Sequence, residues 1–407
     1  MILICAPSIA AGLFKGPSRH KTAPGGKHES AILTQTEGMN MKSKALIALC
    51  LLAALLLHGC AAAPPSGTVN TPPATTMPVP VTAPPASPGT AATAETVTDY
   101  FPVLENVRRA YEGVGNEYAS FVTFTEFAKG NKVQLRIDNG GTVSSRVYKW
   151  ENGRLTRVLS VPEAYVRNNL LDAPELASEA EVLLQEPLTV GTAWDAPGGW
   201  RTITGAGVLV ETPAGDYNAL EVTTQGAESK TIDYYAKGAG LVKSVFQSGD
   251  TEVVSSLAEI ESDAAFLQVV RLYYPGADGV GRYYREVQLA MATNMTLADA
   301  LTEAYQAEPR GKAGQAFTPG TRILSLSINR DNVVRLDLNQ AFITERTGSA
   351  AYEQGVLRSV ANTFGELYMV SEVLLTVEGK PYRSQQFSMR EGETLQVEQT
   401  DAEIITD

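Results

Sequence analysis

Lys132-Val133-Gln134-Leu135-Arg136-Ile137-Asp138 alternates apolar and polar side chains, Asn139-Gly140-Gly141 breaks it, Val143 to Trp150 resumes it, and Asn152-Gly153 turns into Arg154 to Val161. Alternation with period two gives a strand one apolar face, and Asn-Gly supplies the left-handed residues of a tight hairpin. The stretch predicts three consecutive antiparallel strands. The pattern recurs downstream: Val208 to Glu211, the turn Thr212-Pro213-Ala214-Gly215-Asp216 and Tyr217 to Thr224 make another hairpin, followed by Thr231 to Ala236 and Leu241 to Gln247. Short strands separated by turns predict a mostly antiparallel, curved β domain over about residues 99–261.

Residues 266–399 mix two periods. Val270, Leu272 and Tyr274 alternate up to Pro275-Gly276, and Val287, Leu289 and Met291 alternate along a second strand. Thr296 and Asp299 have capping-box spacing ahead of the helical stripe Leu297, Ala300, Leu301 and Ala304, which Pro309 closes. Leu324, Leu326 and Ile328 predict one apolar strand face, Asp331-Asn332 a turn, and Val334, Leu336 and Leu338 the return. Val356, Val360, Phe364 and Leu367 stripe a helix from about Ser349 to Tyr368, and Val373 to Val377 closes as a strand. The fold class expected is α+β: an antiparallel β domain, then a domain whose β-sheet is covered by two helices on one face. Residues 400–407 read as a tail.

The second domain resembles the GerMN module of the GerM family of spore-formation and germination lipoproteins. The resemblance is carried by Val270-Arg271-Leu272-Tyr273-Tyr274-Pro275, Pro319-Gly320-Thr321, Val333 to Asn339, Glu353 to Phe364, and Val373 to Val377 with Gly379-Lys380-Pro381. It implies similarity to the ring-building folds of spore-envelope secretion complexes, and a role in assembly between membranes or at the cell wall instead of catalysis. The family's best-known form carries two copies; one is found here. Leu188 to Trp194, Arg201 to Thr204 and Tyr234 to Val242 make the first domain look like the sheet domains of exported lipoproteins, similar to LolA-type half-barrels, which implies a binding surface.

Further upstream, Leu55-Leu56-Leu57-His58-Gly59-Cys60 ends an apolar run that begins at Ala45 behind Lys42 and Lys44. Basic region, apolar region and small residue before the cut are the three parts of an export signal, and the run is shorter than the roughly 20 residues that span a bilayer. It resembles a lipoprotein signal over residues 39–59, which implies lipid attachment at Cys60 and a lipid-anchored position on the extracytoplasmic face of the cell membrane. Met1 to Gly38 is read as lying ahead of the true start. Residues 60–98 hold nine prolines and one charge, Glu95. Such a composition cannot bury enough to offset its ordering entropy, so it reads as a stalk, on the order of 110 Å long when extended.

Cleavage before Cys60 would remove His20, His28 and His58 with Cys5 and Cys50, leaving 27 basic against 43 acidic residues and a net charge of −16. That balance argues against nucleic-acid binding. One cysteine excludes disulfides and thiolate metal sites, and no cofactor or metal is expected.

Several residues invite a chemical reading. Trp150, Trp194 and Trp200, with the pairs Tyr234-Tyr235, Tyr273-Tyr274 and Tyr283-Tyr284, could face a glycan, but neighbours in a strand point to opposite faces. Core or edge packing accounts for them more simply. Glu345, Glu353 and Glu366 with Asp337 could act as paired carboxylates, yet Glu353 and Glu366 lie roughly 20 Å apart along one helix at 1.5 Å per residue. Asp331 and Asp337 lack calcium-loop spacing, no Ser-x-x-Lys element occurs, and Arg358 reads as a surface charge or an acidic partner's mate. No catalytic residue is assigned. The expected function is a membrane-tethered interaction module in sporulation or germination, with envelope proteins, peptidoglycan or further copies of the chain as partners. The alternatives are a wall-glycan or apolar-ligand binding module, and a peptidoglycan hydrolase using carboxylates alone.

Overall fold

The computed structural model describes residues 94–398 and 401–405, apart from 308 and 310. The expected signal peptide, Cys60 and the stalk up to residue 93 lie outside the described residues. The described part is one compact unit.

It opens with a short helix, α1 (Val97–Tyr100), whose Thr96 and Asp99 form a capping box. Val97 and Tyr100 are buried among residues of the first sheet, and Glu95 pairs with Lys237 at 2.7 Å. The folded region therefore begins a few residues inside the expected stalk, because Val97 and Tyr100 bring apolar area that a Pro-rich composition average conceals.

Twelve strands form the first sheet: β1 (Arg108–Val114), β2 (Phe121–Lys129), β3 (Lys132–Asp138), β4 (Val143–Glu151), β5 (Arg154–Pro162), β6 (Glu181–Gln185), β7 (Ala193–Ala196), β8 (Gly199–Thr212), β9 (Gly215–Gly226), β10 (Lys230–Ala236), β11 (Gly240–Ser248) and β12 (Thr251–Glu261). Sequence neighbours pair throughout, except that β1 joins β12 and that β6 and β7 are the two ends of the order. At the β4–β5 turn, Asn152 and Gly153 take φ of 53° and 70°, the left-handed pair a two-residue hairpin requires. The sheet curls until its ends meet through side chains. Trp194 Nε1 and Arg201 Nη1 donate to the Val182 carbonyl at 2.9 and 2.6 Å, and Arg201 Nη2 reaches Glu181 at 2.7 Å. Leu155, Leu184, Trp194, Ile203, Val222 and Tyr235, from six different strands, fill the enclosed space together with α1.

Asp233 belongs to the same interior. It accepts from Ser244 Oγ at 2.6 Å, and burial raises its carboxyl above the usual range, against the lowering effect of Ser244 and Arg201. A carboxyl raised on folding favours the folded state below its unfolded pKa and loses that contribution as pH rises through the folded value. Asp233→Asn should therefore raise the thermal midpoint at pH 7 and leave it unchanged near pH 3, which melts at the two pH values will read.

The remaining elements are β13 (Phe266–Pro275), β14 (Arg282–Met291), α2 (Leu297–Gln306), β15 (Ile323–Ile328), β16 (Val333–Leu338), α3 (Ala341–Thr344), α4 (Ala350–Tyr368) and β17 (Glu372–Val377), with two-residue strands β18 (Lys380–Pro381), β19 (Leu395–Gln396) and β20 (Glu403–Ile404). Thr296 caps α2 with Asp299, and Ser349 caps α4. The expected single sheet covered on one face is corrected here. The strands form two sheets, β13-β14-β20 and β15-β16-β17-β18 with β19 on β17, and α4 packs against β13 as well as β16 and β17. The Tyr273 amide on the free edge of β13 donates to Thr363 Oγ1 of α4 at 2.9 Å, the hydrogen bond a neighbouring strand would otherwise take. α4 buries Gly355, Ser359, Asn362 and Thr363 as well as its apolar stripe, as befits a helix enclosed between layers. The tail contributes too, since β20 runs parallel to β14 through Tyr283 and Tyr284.

The β15 face also differs. A bulge between Ile323 and Ser325 places Ile323, not Leu324, opposite Leu338, leaving Leu324 50% exposed. Leu326 and Ile328 keep Leu336 and Val334 as partners, so the extra residue displaces Leu324 alone, which alternation does not anticipate.

A buried polar cluster joins the two sheet regions. Glu126 on β2 accepts from Gln134 at 2.7 Å, from Ser145 at 3.0 Å and from Arg136 at 3.3 Å. Arg167, from the segment between β5 and β6, donates to the carbonyls of Glu126 and Ala292, both at 2.8 Å, and its guanidinium lies 4.7 Å from the Phe127 ring centroid. Asn106 and Thr293 bond reciprocally at 2.7 and 2.8 Å.

Candidate functional site

A polar groove of about 360 Å³ lies in the second domain, lined by Asp278, Gln315, Thr318, Glu345, Arg346 and Tyr352 among others. This lies within the range of ligand sites, roughly 300–1,000 Å³. Three segments build it: the β13–β14 turn, the chain that follows α2, and the α3–α4 connection. The first two are laced together by Gly314 N–H to the Pro275 carbonyl at 2.7 Å and Ala277 N–H to the Lys312 carbonyl at 2.8 Å.

Tyr352, in the first turn of α4, is the post around which they close. Its hydroxyl donates to the Gln315 carbonyl at 3.0 Å. A Cβ at Gly314 would sit 2.6 Å from that hydroxyl oxygen and one at Gly348 3.0 Å from the ring, so two glycines allow the backbone to reach the tyrosine.

Arg346 supplies the positive charge. Its guanidinium stacks on Phe342 at 4.2 Å, with Nε donating to the Phe342 carbonyl at 3.1 Å and Nη2 to the Ala316 carbonyl at 3.2 Å. Burial pulls its pKa below the ordinary arginine value, and Tyr382, Tyr352 and Glu353 offset part of that. Glu345 accepts the Gly320 amide at 2.8 Å. Asp278 accepts the amides of Val280 and Gly281, both at 2.9 Å, and these backbone bonds hold its carboxyl below the usual range.

The carboxylates singled out in the sequence do not come together as a pair. Glu353 is buried beneath Tyr382, whose hydroxyl donates to it at 2.6 Å. Glu366 accepts from Tyr273 at 2.5 Å and Arg271 at 3.2 Å, while Asp337 accepts from Thr376 at 2.6 Å and Gly379 at 2.9 Å. Asp331 is exposed in its turn. Arg358 finds Glu398 at 2.8 Å. Of the aromatic candidates, Trp194, Tyr235 and Tyr274 are core, whereas Trp200 is 59% exposed. Trp150 packs against the interior of the first sheet, and Tyr273 and Tyr284 pair at 5.8 Å. Among the described residues no group of histidine, cysteine and carboxylates is arranged to hold a metal, and no helix is long and apolar enough to cross a membrane. Cys60 lies outside them. Sequence reasoning missed Asp278, Arg346 and Tyr352. The glycines that cradle the tyrosine were the available signal.

No curated protein matches the chain. Among solved structures, a Bacteroides fragilis protein described as exported and YmcC-like in fold aligns at 12% identity over 40% of this chain and 99% of its own, with a TM-score of 0.25. A lipoprotein-described chain from Clostridium perfringens aligns at 20% identity over 29% of this chain and 79% of its own, with a TM-score of 0.20. The tandem GerMN domains of the sporulation protein GerM from Bacillus subtilis align at 23% identity over 34% of this chain and 46% of that one, with a TM-score of 0.24. Residues 271–383, which contain the whole groove, match the Germane family model, described as sporulation and spore germination, and over this segment the chain resembles a GerMN domain.

Proposed function

We propose that this is an extracytoplasmic lipoprotein, anchored through Cys60, that acts as an interaction module in spore-envelope assembly or germination and performs no bond-making chemistry. The match of residues 271–383 to the Germane model carries the reading. The dispersal of Glu345, Glu353, Glu366 and Asp337 into separate hydrogen bonds supports binding over hydrolysis. A stalk behind a lipid anchor would present both sheet regions to proteins or wall polymer beyond the membrane, and two or more acyl chains hold stably where one is marginal.

The test has two parts. In sporulating cells fed a labelled fatty acid, the native protein should carry label in the membrane fraction, and Cys60→Ser should lose both label and retention. The native protein used as bait should recover envelope proteins or wall fragments. A soluble, unlabelled native chain, or a bait profile identical to that of empty beads, overturns the proposal.

A further inference from the structure

The groove beside Tyr352 has a charge pattern that narrows what it can hold. Arg346 has no carboxylate within ion-pair distance among the described residues, and its Nη1 makes no hydrogen bond there, while Nε and Nη2 are fixed by backbone carbonyls. A guanidinium held by two carbonyls and a ring keeps its geometry without being neutralised. Such a fork loses little conformational freedom on meeting a planar anion, and bidentate carboxylate is its best match. A neutral sugar entering the groove would displace water from this cation and offer no charge in return.

The rest of the lining has the opposite sign. Glu345 uses Oε2 for the Gly320 amide, and Asp278 uses Oδ1 for two amides, which leaves a second oxygen on each with no protein donor among the described residues. Thr318, Thr347, Ser349 and Tyr352 also line the groove. Arg346 is the lining cation and Glu345 and Asp278 the lining anions, a set that complements a small group carrying both an amine and a carboxylate.

We propose that this groove binds a short peptide bearing a free amine and a free carboxylate, of the kind displayed by uncross-linked stem peptides of wall peptidoglycan, with the carboxylate on Arg346 and the amine toward Glu345 and Asp278. The choice of wall peptide rests on the extracytoplasmic reading above; the zwitterionic chemistry rests on the groove alone. Detergent-solubilised full-length protein is titrated calorimetrically with three probes: a stem tripeptide ending in a diamino acid, the same tripeptide with its carboxylates amidated, and an uncharged disaccharide of N-acetylglucosamine. The free tripeptide should bind saturably and the other two should not. Arg346→Gln should weaken tripeptide binding on the order of tenfold to a hundredfold, the loss of one charge-assisted contact. Glu345→Gln, at an exposed position, should weaken it less while keeping the Gly320 bond. Thermal melts matching the native protein show that the variants are folded, and the amidated probe tests the carboxylate without any substitution. Equal binding of the free and amidated peptides, tighter binding of the disaccharide, or no binding of the tripeptide overturns the site. Any of these outcomes alongside successful lipid labelling and envelope capture removes the groove assignment and leaves the anchored-module reading standing.

Discussion

Glu126→Ala is expected to destabilise the protein by about 3–5 kcal/mol, the usual cost of removing one partner from a buried ion pair. Glu126 is 0% exposed, and its carboxylate meets the Arg136 guanidinium, the Gln134 amide and the Ser145 hydroxyl. Truncation leaves Arg136 with the Tyr165 carbonyl at 3.2 Å and the Phe266 ring at 4.5 Å. Neither carries a compensating charge. Glu126→Gln keeps the volume and an acceptor, so its cost should be smaller. A double change to apolar residues at 126 and 136 should recover part of the loss, because the stability of a buried pair is offset by its own desolvation. Urea midpoints with unchanged slopes will measure the three variants. The Asn294 amide donates to the Glu126 carbonyl at 2.9 Å, and Phe266 begins β13. Hydrogen exchange at Asn294 should therefore quicken in Glu126→Ala beyond what global unfolding predicts, since the cluster also fixes the joint between the sheet regions.

That joint marks where the sequence stops being legible. The hairpins were readable because local rules fix them: Asn152-Gly153 turns where expected, and β3 runs over Lys132–Asp138 as its alternation implies. The cap at Thr296 and the helix start near Ser349 were readable for the same reason. The pairing of β1 with β12 is not local, and nothing in either strand announces the other. Arg136 is a polar position of the alternating stretch, so a period-two reading sends it to solvent, although here it meets Glu126 inside at 3.3 Å, and Glu126 itself falls at a bulge between Thr125 and Phe127 that no alternation marks. The groove was legible least of all. It draws Asp278, Gln315 and Arg346 from three segments, and only tertiary closure brings a turn and two loops onto Tyr352.

Phe364→Ala should cost about 3–5 kcal/mol, the range for removing a large aromatic from a close-packed core. Phe364 is 0% exposed and sits on α4, the helix enclosed between the two small sheets. A helix on the outside of a sheet can tilt to fill part of a cavity; this one is hemmed in. Tyr273 is bonded to Thr363 at 2.9 Å on one side, and the Glu398 amide donates to Asn362 at 2.9 Å on another, which limits how far the backbone can move into the void. The cost should therefore fall toward the upper end of the range, with the slope of the urea transition unchanged. Met369, which ends α4 in a left-handed conformation and is 80% exposed, provides the control. Met369→Gly relieves that backbone geometry and removes no buried area, so its midpoint should hold or rise slightly. If Phe364→Ala instead costs no more than about 1 kcal/mol, α4 is free to shift, and the view of a helix clamped between two sheets fails.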